Sequence, residues 1–246
     1  MERKTVKLLG FDVDAFDEED AFACAVKYAM DLIELRDIKR RGGQIVTINP
    51  EMIEYGLKNI EFAEILKNAD LVIPDGVGVQ IGLKLKGHNV KRIAGIEFSH
   101  KLIEECSKKE ISVALIGAKP HILKKAIDNL KSELKDLNIA YQQDGYFHDR
   151  DKVIADLKAI RPRFILVALG SPKQEEFIKE AKKVLPHAVM IGVGGSFDVW
   201  SGEIKRAPVI FQKLGLEWAY RIIKEPWRFK RIFPTLPRFL LRVLFN

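Results

Sequence analysis

Cysteine is scarce in this sequence, with Cys24 and Cys106 as the only two among 246 residues. They lie far apart and form no C-x-x-C pair, so neither a disulfide framework nor a structural zinc site is expected. The five histidines also lack the spacing of metal ligands, and we assign no metal and no cofactor. These shortages favour a protein that works in a reducing cytoplasm.

Long apolar runs are missing as well. The run that begins at Leu8 stops at Asp12, which is too short for the core of a signal peptide. No segment approaches the roughly 20 apolar residues that a membrane-spanning helix needs. We therefore expect a protein that is made and kept in the cytoplasm.

Two common nucleotide-binding signatures are absent from the glycine-rich segment 192–198. Phe197 stands where the third glycine of G-x-G-x-x-G would be, and the Lys-Ser/Thr pair of a P-loop is missing. A dinucleotide-dependent dehydrogenase or a P-loop ATPase is therefore disfavoured. The segment still follows a predicted strand, and its glycines permit a ligand to approach the backbone closely.

The positive charge of the chain is concentrated near its C-terminal end. Residues 204–246 contain ten basic and two acidic residues, a net charge of +8, whereas the whole chain carries +7. The remainder is therefore almost neutral. This distribution argues against a protein that coats nucleic acid over its whole surface, and it favours one charged attachment site.

Short apolar runs alternate with longer segments of helical pattern, which predicts βα units. We expect a mainly parallel sheet with helices on both faces, a Rossmann-like α/β fold, formed by residues 1–202. Residues 203–246 would form a C-terminal amphipathic helical appendage. Ligands of such folds bind where strands end and helices begin. The predicted strands are 5–9, 44–48, 69–73, 112–116, 163–168 and 188–193, and the clearest predicted helices are 18–38, 120–137 and 172–184.

Basic and apolar residues recur at helical spacing in the appendage. On a continuous helix Arg221, Arg228 and Arg231 would share one face with Lys224, although Pro226 favours the start of a second helix. Further on, Arg238 and Arg242 lie four apart among Phe, Leu and Val residues. This pattern is typical of a helix in the headgroup region of an anionic membrane, and a terminal helix packed on the body is the alternative.

Polar residues follow several predicted strands. Thr47 ends one, Asn49 can cap the next helix, and Pro50 fits the first turn of that helix. Asp75 follows a buried strand, where a carboxylate could act as a general base or, more commonly, cap a helix. Arg92 precedes a small-residue turn, and its guanidinium suits either a departing diphosphate or a surface ion pair.

A further helix start is predicted at 171–175. Ser171 has the character of an N-cap and Pro172 of a first helical residue, and Gln174 then falls at the capping-box position. A cap and a ligand contact compete as roles for Gln174. The segments 12–14 and 149–151 match the metal-binding D-x-D of many glycosyltransferases. About one chance match is expected in so acidic a chain, so neither carries weight.

Taken in order, these segments closely resemble the WecG/TagA/CpsF glycosyltransferase family over about the whole chain. Several ordered blocks are far more specific than one motif. The blocks are Thr47-Ile48-Asn49-Pro50-Glu51, Pro74-Asp75-Gly76-Val77-Gly78, Arg92-Ile93-Ala94-Gly95, Gly145-Tyr146-Phe147, Ala168-Leu169-Gly170-Ser171-Pro172-Lys173-Gln174-Glu175, Gly192-Val193-Gly194-Gly195-Ser196-Phe197-Asp198 and Lys205-Arg206-Ala207-Pro208, with Glu217-Trp218-Ala219-Tyr220-Arg221 and Glu225-Pro226-Trp227-Arg228 in the appendage.

The resemblance implies an inverting, metal-independent transfer of a sugar from a UDP donor to an undecaprenyl-diphosphate-linked N-acetylglucosamine. N-acetylmannosamine or its uronic acid is the implied sugar, for teichoic acid or another surface polymer. The implied general base is Asp75, and Arg92 would stabilise the departing UDP. Such an enzyme would be attached peripherally to the inner face of the cell membrane.

The resemblance also implies the binding residues. Thr47, Asn49 and Gln174 would line the donor sugar and diphosphate, and Tyr146 and Asp198 would meet the uridine. The appendage arginines Arg221, Arg228 and Arg231 could engage the lipid diphosphate or the donor.

Two other functions fit the same sequence. One is a gluco- or galactosyltransferase of exopolysaccharide synthesis, and the other is a non-enzymatic nucleotide-binding module at a membrane surface. A binding module gives no reason for Asp75 beside Arg92 and Gln174. No nucleic-acid-reading motif accompanies the basic tail, so no nucleic-acid partner is expected. A homo-oligomer is left open.

Overall fold

The computed structural model describes residues 4–16, 20–35, 42–208, 210–211, 217–224 and 229–246, with the side chains of 218, 221, 224 and 230–232 excluded. A hairpin of two antiparallel strands, β1 (Lys4–Leu8) and β2 (Phe11–Ala15), precedes a six-stranded parallel sheet. The sheet has the order β4-β3-β8-β7-β5-β6. Its strands are β3 (Gly43–Ile48), β4 (Leu71–Pro74), β5 (Val113–Gly117), β6 (Ile139–Gln143), β7 (Phe164–Ala168) and β8 (Val189–Gly192).

Helices follow the strands along the chain. They are α1 (Ala21–Glu34), α2 (Pro50–Gly56), α3 (Ile60–Lys67), α4 (Val77–Leu85), α5 (Gly95–Lys108), α6 (Pro120–Glu133), α7 (Arg150–Ile160), α8 (Lys173–Ala181), α9 (Ser196–Trp200), α10 (Glu217–Lys224) and α11 (Phe229–Phe245). The predicted α/β class with a parallel sheet and a C-terminal helical segment is confirmed.

Both faces of the sheet are buried, because successive side chains of a strand point to opposite faces. Ile45 and Ile191 pack with α1, α5, α6 and α9 on one face. Val46 and Ile48 pack with α2, α3 and the hairpin on the other face, where α7 and α8 cover the half of the sheet around β7. The central strands are therefore mainly apolar, and most of the polar functional residues lie just beyond the carboxyl ends of the strands.

The chain leaves two neighbouring strands in opposite directions. After β3 it turns to α2 on one face, and after β8 it turns to α9 on the other. A crevice opens between strand ends at such a point, and ligands of open α/β sheets bind there. The carboxyl ends of β3 and β8 carry Asn49 and the 192–195 turn, so this crevice is where the site is expected.

The edge strand β4 is covered by the hairpin. The side chain of Asp14, only 1 % exposed, accepts a hydrogen bond from the backbone N–H of Val72 at 2.6 Å. That N–H faces away from β3 and would otherwise be a free donor of a sheet edge. The hairpin thus satisfies this donor of the sheet edge with a side-chain carboxylate, and not with the backbone of a further strand.

The described part of the C-terminal segment packs on the α/β body. Phe239 and Val243 of α11 are 0 % and 1 % exposed and join the apolar cluster of β3, β4 and the hairpin. Two glycines of α4 give α11 room, since a Cβ on Gly78 would lie 2.8 Å from Leu236 and one on Gly82 would lie 3.1 Å from Phe239. The helix that begins just after Asp75 is therefore in direct contact with α11.

Several local predictions need correction. Strands β2 and β6 were not predicted, and α11 runs through Pro234 and Pro237, although proline normally ends or kinks a helix. Ser171 is not the N-cap of α8, since the cap residue is Pro172 and it makes no side-chain cap bond. The predicted second helix start at Pro226 lies outside the described residues, as do the last residues of predicted helix 18–38.

Among the helices described, none is both long enough and apolar enough to cross a lipid bilayer.

Candidate active site

Asp75 occupies the first position after β4, in a turn that the neighbouring backbone holds in place. Its N–H donates to the carbonyl of Ile48 at the end of β3, at 2.9 Å. The N–H of Gly76 donates to Asp75 Oδ1 at 2.7 Å, and Gly76 has a φ of +80°, which glycine adopts without strain. Ile93 donates to the carbonyl of Pro74 at 3.0 Å and so fixes the 92–95 loop beside this turn.

The carboxyl group of Asp75 is a stronger base than an ordinary aspartate. Loss of hydration raises its pKa, and Glu217 adds to this effect, while Arg92 and the N–H groups of Gly76 and Gly95 oppose it. About a quarter of the side chain, 28 %, stays exposed, so a substrate can reach it. A recessed carboxylate that remains accessible is suited to proton transfer.

Arg92 lies beside Asp75 in a chain of alternating charges. Its Nε is 3.8 Å from Asp75 Oδ1, and its Nη2 donates to Glu217 Oε2 at 2.7 Å. Glu217 Oε1 also accepts from Arg206 at 3.3 Å, and Arg206 in turn pairs with Glu97 at 2.8 Å. The buried Nε of Arg92 has no hydrogen-bond partner among the described residues.

The end of β3 adds two polar side chains. Asn49 caps α2, since its Oδ1 accepts from the N–H of Met52 at 3.0 Å, and Pro50 follows at the first helical position as predicted. Thr47 is the one partly exposed residue of β3. A Cβ on Gly95 would lie 3.1 Å from both Thr47 Cγ2 and Asp75 Oδ2, so these residues are in close contact. A Cβ on Gly76 would lie 4.0 Å from Asn49 Cβ, so Thr47, Asn49, Asp75 and Arg92 form one group.

Gln174 reaches from the end of β7 to the turn that follows β8. Its Oε1 accepts from the N–H of Gly194 at 3.1 Å, and its Nε2 donates to Glu175 Oε1 at 2.7 Å. A Cβ on Gly192 would lie 2.4 Å from Gln174 Nε2, so only glycine leaves room for this side chain. Gln174 does not cap α8. It supports the glycine-rich turn instead.

The two groups lie on opposite sides of the crevice between β3 and β8. Asp75 and Gln174 follow β4 and β7, which are three strand spacings apart in the sheet, or roughly 14 Å. The crevice between β3 and β8 lies between them. An elongated ligand with a reactive end and a phosphate-bearing middle fits such an arrangement better than a compact one.

The sequence profile of the Glycosyl transferase WecG/TagA/CpsF family matches residues 6–246. The chain belongs to this family. It is therefore a glycosyltransferase, as the ordered sequence blocks predicted.

Two relatives share the name N-acetylglucosaminyldiphosphoundecaprenol N-acetyl-beta-D-mannosaminyltransferase. The protein from Bacillus subtilis (strain 168) is 37% identical over 217 residues, which cover 87% of this chain and 84% of the relative. The protein from Bacillus spizizenii is 37% identical over 207 residues, which cover 84% of this chain and 80% of the relative.

Other residues implied by the family resemblance lie apart from the Asp75 group in this glycosyltransferase. Tyr146 follows β6, at the opposite edge of the sheet from β4, and is 63 % exposed. Asp198 lies in α9, directly after the glycine-rich turn. The turn that carries Tyr146 folds back toward the ends of β5 and β7, since the N–H of Gly145 donates to the carbonyl of Ala118 at 2.8 Å and a Cβ on Gly145 would lie 3.3 Å from Leu169.

The three appendage arginines have no described side chain. Arg221 belongs to α10 and Arg231 to α11 by their backbones, whereas Arg228 lies outside the described residues. Their roles stay predictions. Glu217, the first residue of α10, is the appendage residue that the structure joins to Arg92.

Sequence reasoning assigned no role to Glu217, Arg206 or Glu175 of this glycosyltransferase. Glu217 is one of only two acids in the basic tail, and this contrast could have suggested a buried partner for an arginine. Glu175 precedes Ile178 and Ala181 at intervals of three on α8, so helical periodicity places it on the buried face.

The D-x-D segments are engaged in the fold. Asp14 binds Val72, and Asp149 caps α7 by accepting from Lys152 at 2.9 Å. Within the described residues, no group of three or more His, Cys, Asp or Glu side chains could hold a metal ion. Independence from metal stays a prediction.

Proposed function

We propose that this glycosyltransferase moves N-acetylmannosamine, or its uronic acid, from a UDP donor to N-acetylglucosaminyl-diphospho-undecaprenol. The names of the two Bacillus relatives support the acceptor and the sugar. The observation that carries the proposal is the Asp75 carboxylate, which has a raised pKa, stays accessible, and lies 3.8 Å from the Arg92 guanidinium. A base beside a cation is what a single displacement requires.

In the proposed reaction, Asp75 takes the proton of an acceptor hydroxyl. The acceptor oxygen forms a bond to C1 of the donor sugar, and the bond between C1 and the diphosphate oxygen breaks. One displacement inverts the configuration at C1, and UDP leaves with the electron pair. The guanidinium of Arg92, whose side chain stays 18 % exposed, would stabilise the negative charge that develops on the diphosphate.

The donor would lie across the β3–β8 crevice. Thr47 and Asn49 would contact the sugar, and the turn that Gln174 supports would approach the diphosphate, because Gly192 and Gly194 let the backbone come close. The uridine would extend toward Asp198 and Tyr146. No metal-binding group is required in this scheme, since Arg92 supplies the positive charge.

A donor and acceptor panel tests this function. The enzyme is offered UDP-N-acetylmannosamine, its uronic acid, UDP-glucose and UDP-galactose, each with a short-chain prenyl-diphosphate-linked N-acetylglucosamine. We expect UDP release and an elongated lipid with an N-acetylmannosamine-type donor, at the same rate with and without EDTA. Preference for UDP-glucose or UDP-galactose would contradict the proposed sugar, and a rate lost to EDTA and restored by Mn²⁺ would contradict the metal-free scheme.

We further propose that α11 holds the enzyme at an anionic membrane surface. Opposite its buried residues, α11 carries exposed apolar side chains, with Phe229, Phe233, Leu241 and Leu244 between 47 % and 57 % exposed and Phe245 84 % exposed. On an ideal helix these residues occupy one side, beside a second stripe that contains Arg238 and Arg242, of which Arg242 pairs with the buried Glu54 of α2 at 3.0 Å. An apolar stripe beside a basic one suits a helix that lies in the headgroup region.

Vesicle sedimentation tests the membrane contact. The double variant Phe233→Glu/Leu241→Glu should reduce binding to phosphatidylglycerol-containing vesicles by about tenfold or more, because two apolar contacts are lost and two negative charges added. Ile60→Glu is the matched control, since Ile60 is 83 % exposed on α3, and it should bind as the wild type does. The proposal would be contradicted if both variants lost vesicle binding to the same extent. It would also be contradicted if wild type bound equally well to vesicles made only of neutral phosphatidylcholine.

A further inference from the structure

Glu175 is a buried carboxylic acid directly behind the turn where the donor diphosphate is proposed to bind. It is 2 % exposed, and its Oε2 has no hydrogen-bond partner among the described residues. Burial raises the pKa of Glu175 to about 7, although hydrogen bonds from Gln174 and Ser171 act in the opposite direction. Ionising this buried acid therefore lowers the stability of the folded protein. An acid retained at such a cost invites a functional explanation.

The hydrogen bonds around Gln174 allow only one orientation of its carboxamide. On one side lies Glu175 Oε1, which accepts whether the acid is ionised or carries a proton on Oε2. On the other side lies the N–H of Gly194, which can only donate. If the carboxamide turned over, its NH₂ would face an N–H and its oxygen would face an oxygen. Glu175 and Gly194 together therefore fix the amide.

The same contacts tie Gln174 to the shape of the glycine-rich turn. Gln174 lies in the space that Gly192 leaves open, and it holds the N–H of Gly194, whose φ is +49°. Each end of a carboxamide has one further group to offer, a second N–H on Nε2 and a second lone pair on Oε1. A substrate contact through either group would depend on which end faces which way.

We propose that Glu175 is a positioning residue, which orients the Gln174 carboxamide and through it sets the conformation of the 192–195 turn for donor binding. The proposal rests on the proposed function as far as the donor is concerned. It assigns Glu175 no contact with substrate and no part in proton transfer. Its effect should therefore appear in donor affinity rather than in turnover at saturating donor.

Two substitutions separate the hydrogen bond from the packing. Glu175→Met fills a similar volume but cannot accept from Gln174, whereas Glu175→Gln keeps an acceptor oxygen. We expect Glu175→Met to raise the KM for the UDP-sugar about tenfold with kcat within about threefold of wild type, and Glu175→Gln to restore most of the affinity. Glu176→Gln, one residue along the same helix, is the control and should leave the KM unchanged.

Stability and a double-mutant cycle exclude a merely structural role. Glu175→Met removes a buried acid, so it should fold and be at least as stable as wild type above pH 7. In a Gln174→Ala background, Glu175→Met should raise the KM no further, because its effect passes through Gln174. A Glu175→Met protein that fails to fold, that binds donor normally, or that adds its full effect to Gln174→Ala would overturn the proposal.

A ligand-free measurement keeps the proposal independent of the donor's identity. Amide hydrogen exchange at Gly194 should be about fivefold or more faster in Glu175→Met than in wild type, because the acceptor, Gln174 Oε1, is no longer held in place by Glu175. Exchange in Glu176→Gln should match wild type. Unchanged exchange at Gly194 would overturn the positioning role, whereas a wild-type protein that binds no UDP-sugar would overturn only the proposed function.

Discussion

The two ends of the cleft are built from different chemistry. At the β4 end, charged groups that come from distant parts of the chain meet, and Arg92 bridges Asp75 and Glu217. At the β7–β8 end, a neutral amide holds a glycine-rich backbone, and the nearest acid is buried behind it. Charge suits the end where a proton moves and a bond breaks, whereas fixed dipoles suit the end that only binds.

This difference predicts how substitutions divide. Changes at the β4 end should lower turnover, since the groups there act on the transition state. Changes at the β7–β8 end should alter affinity and stability and leave turnover almost intact. Substitutions in both regions can therefore contradict or refine the comparison.

The largest effect is expected at Asp75. Asp75→Asn keeps the shape but removes the base, so kcat should fall by roughly 10²–10⁴-fold while the affinity for UDP and the melting temperature stay near wild type. Asp149→Asn is the control, because Asp149 is a genuine helix cap and asparagine caps equally well. If Asp75→Asn kept more than a tenth of the wild-type kcat, Asp75 would not be the base.

A smaller loss is expected at Arg92. Arg92→Met should lower kcat by about 10²-fold, because a cation beside the departing diphosphate is lost. Arg92 also lowers the pKa of Asp75, so its removal raises that pKa further. The base must be ionised, and the acid limb of the pH–rate profile should therefore move to higher pH.

The control for Arg92 is another arginine in an ion pair. Arg150 pairs with Glu180 at 2.9 Å on α7 and α8, away from the Asp75 group. Arg150→Met should leave both kcat and the acid limb in place. An acid limb that stayed in place or moved to lower pH in Arg92→Met would show that Arg92 does not lower the pKa of Asp75.

The smallest effect is one of stability at the opposite end. The pKa of Glu175 is raised from 4.5 to about 7, so the folded protein holds this proton more tightly than the unfolded chain. The bound proton therefore adds to the free energy of unfolding. This gain is fully present below pH 4.5, and about 3 kcal/mol of it is lost as the pH rises through 7. The Glu175→Gln side chain does not titrate. The free energy of unfolding of this variant should therefore rise relative to that of wild type by about 3 kcal/mol as the pH increases through 7.

Urea unfolding at pH 5, 6, 7 and 8 measures this change. Glu176→Gln removes the same charge from the same turn of α8, and Glu176 has the smallest of the named effects on the pKa of Glu175, so this variant should keep most of the wild-type dependence on pH. Parallel curves for wild type and Glu175→Gln would mean that Glu175 is ionised freely in the folded protein.

Much of the fold could be predicted, because its parallel strands are continuous apolar runs. Two strands were not predicted. β6 is partly exposed along its length, and β2 contains Asp12 and Asp14, which interrupt the apolar pattern expected of a strand. The burial of Asp14 depends on Val72, which lies 58 residues away. No local pattern contains such a contact.

The same limit applies to the site. Thr47, Asn49 and Asp75 could be placed together, because each follows a strand and the carboxyl ends of parallel strands share one edge. The pair of Arg92 and Glu217 could not, since 125 residues separate them. The packing of α11 on α4 was also hidden, because Pro234 and Pro237 lie inside that helix.

The strand that carries the proposed base is also the outermost strand of its sheet. Such strands tend to recruit strands from other molecules, and β4 is shielded by the bond between Asp14 and the Val72 N–H. A protein that lost this bond would leave the N–H of Val72 unpaired at the sheet edge beside its reaction centre. Its characteristic failure would then be self-association into inactive aggregates, with the chemistry of each remaining monomer intact.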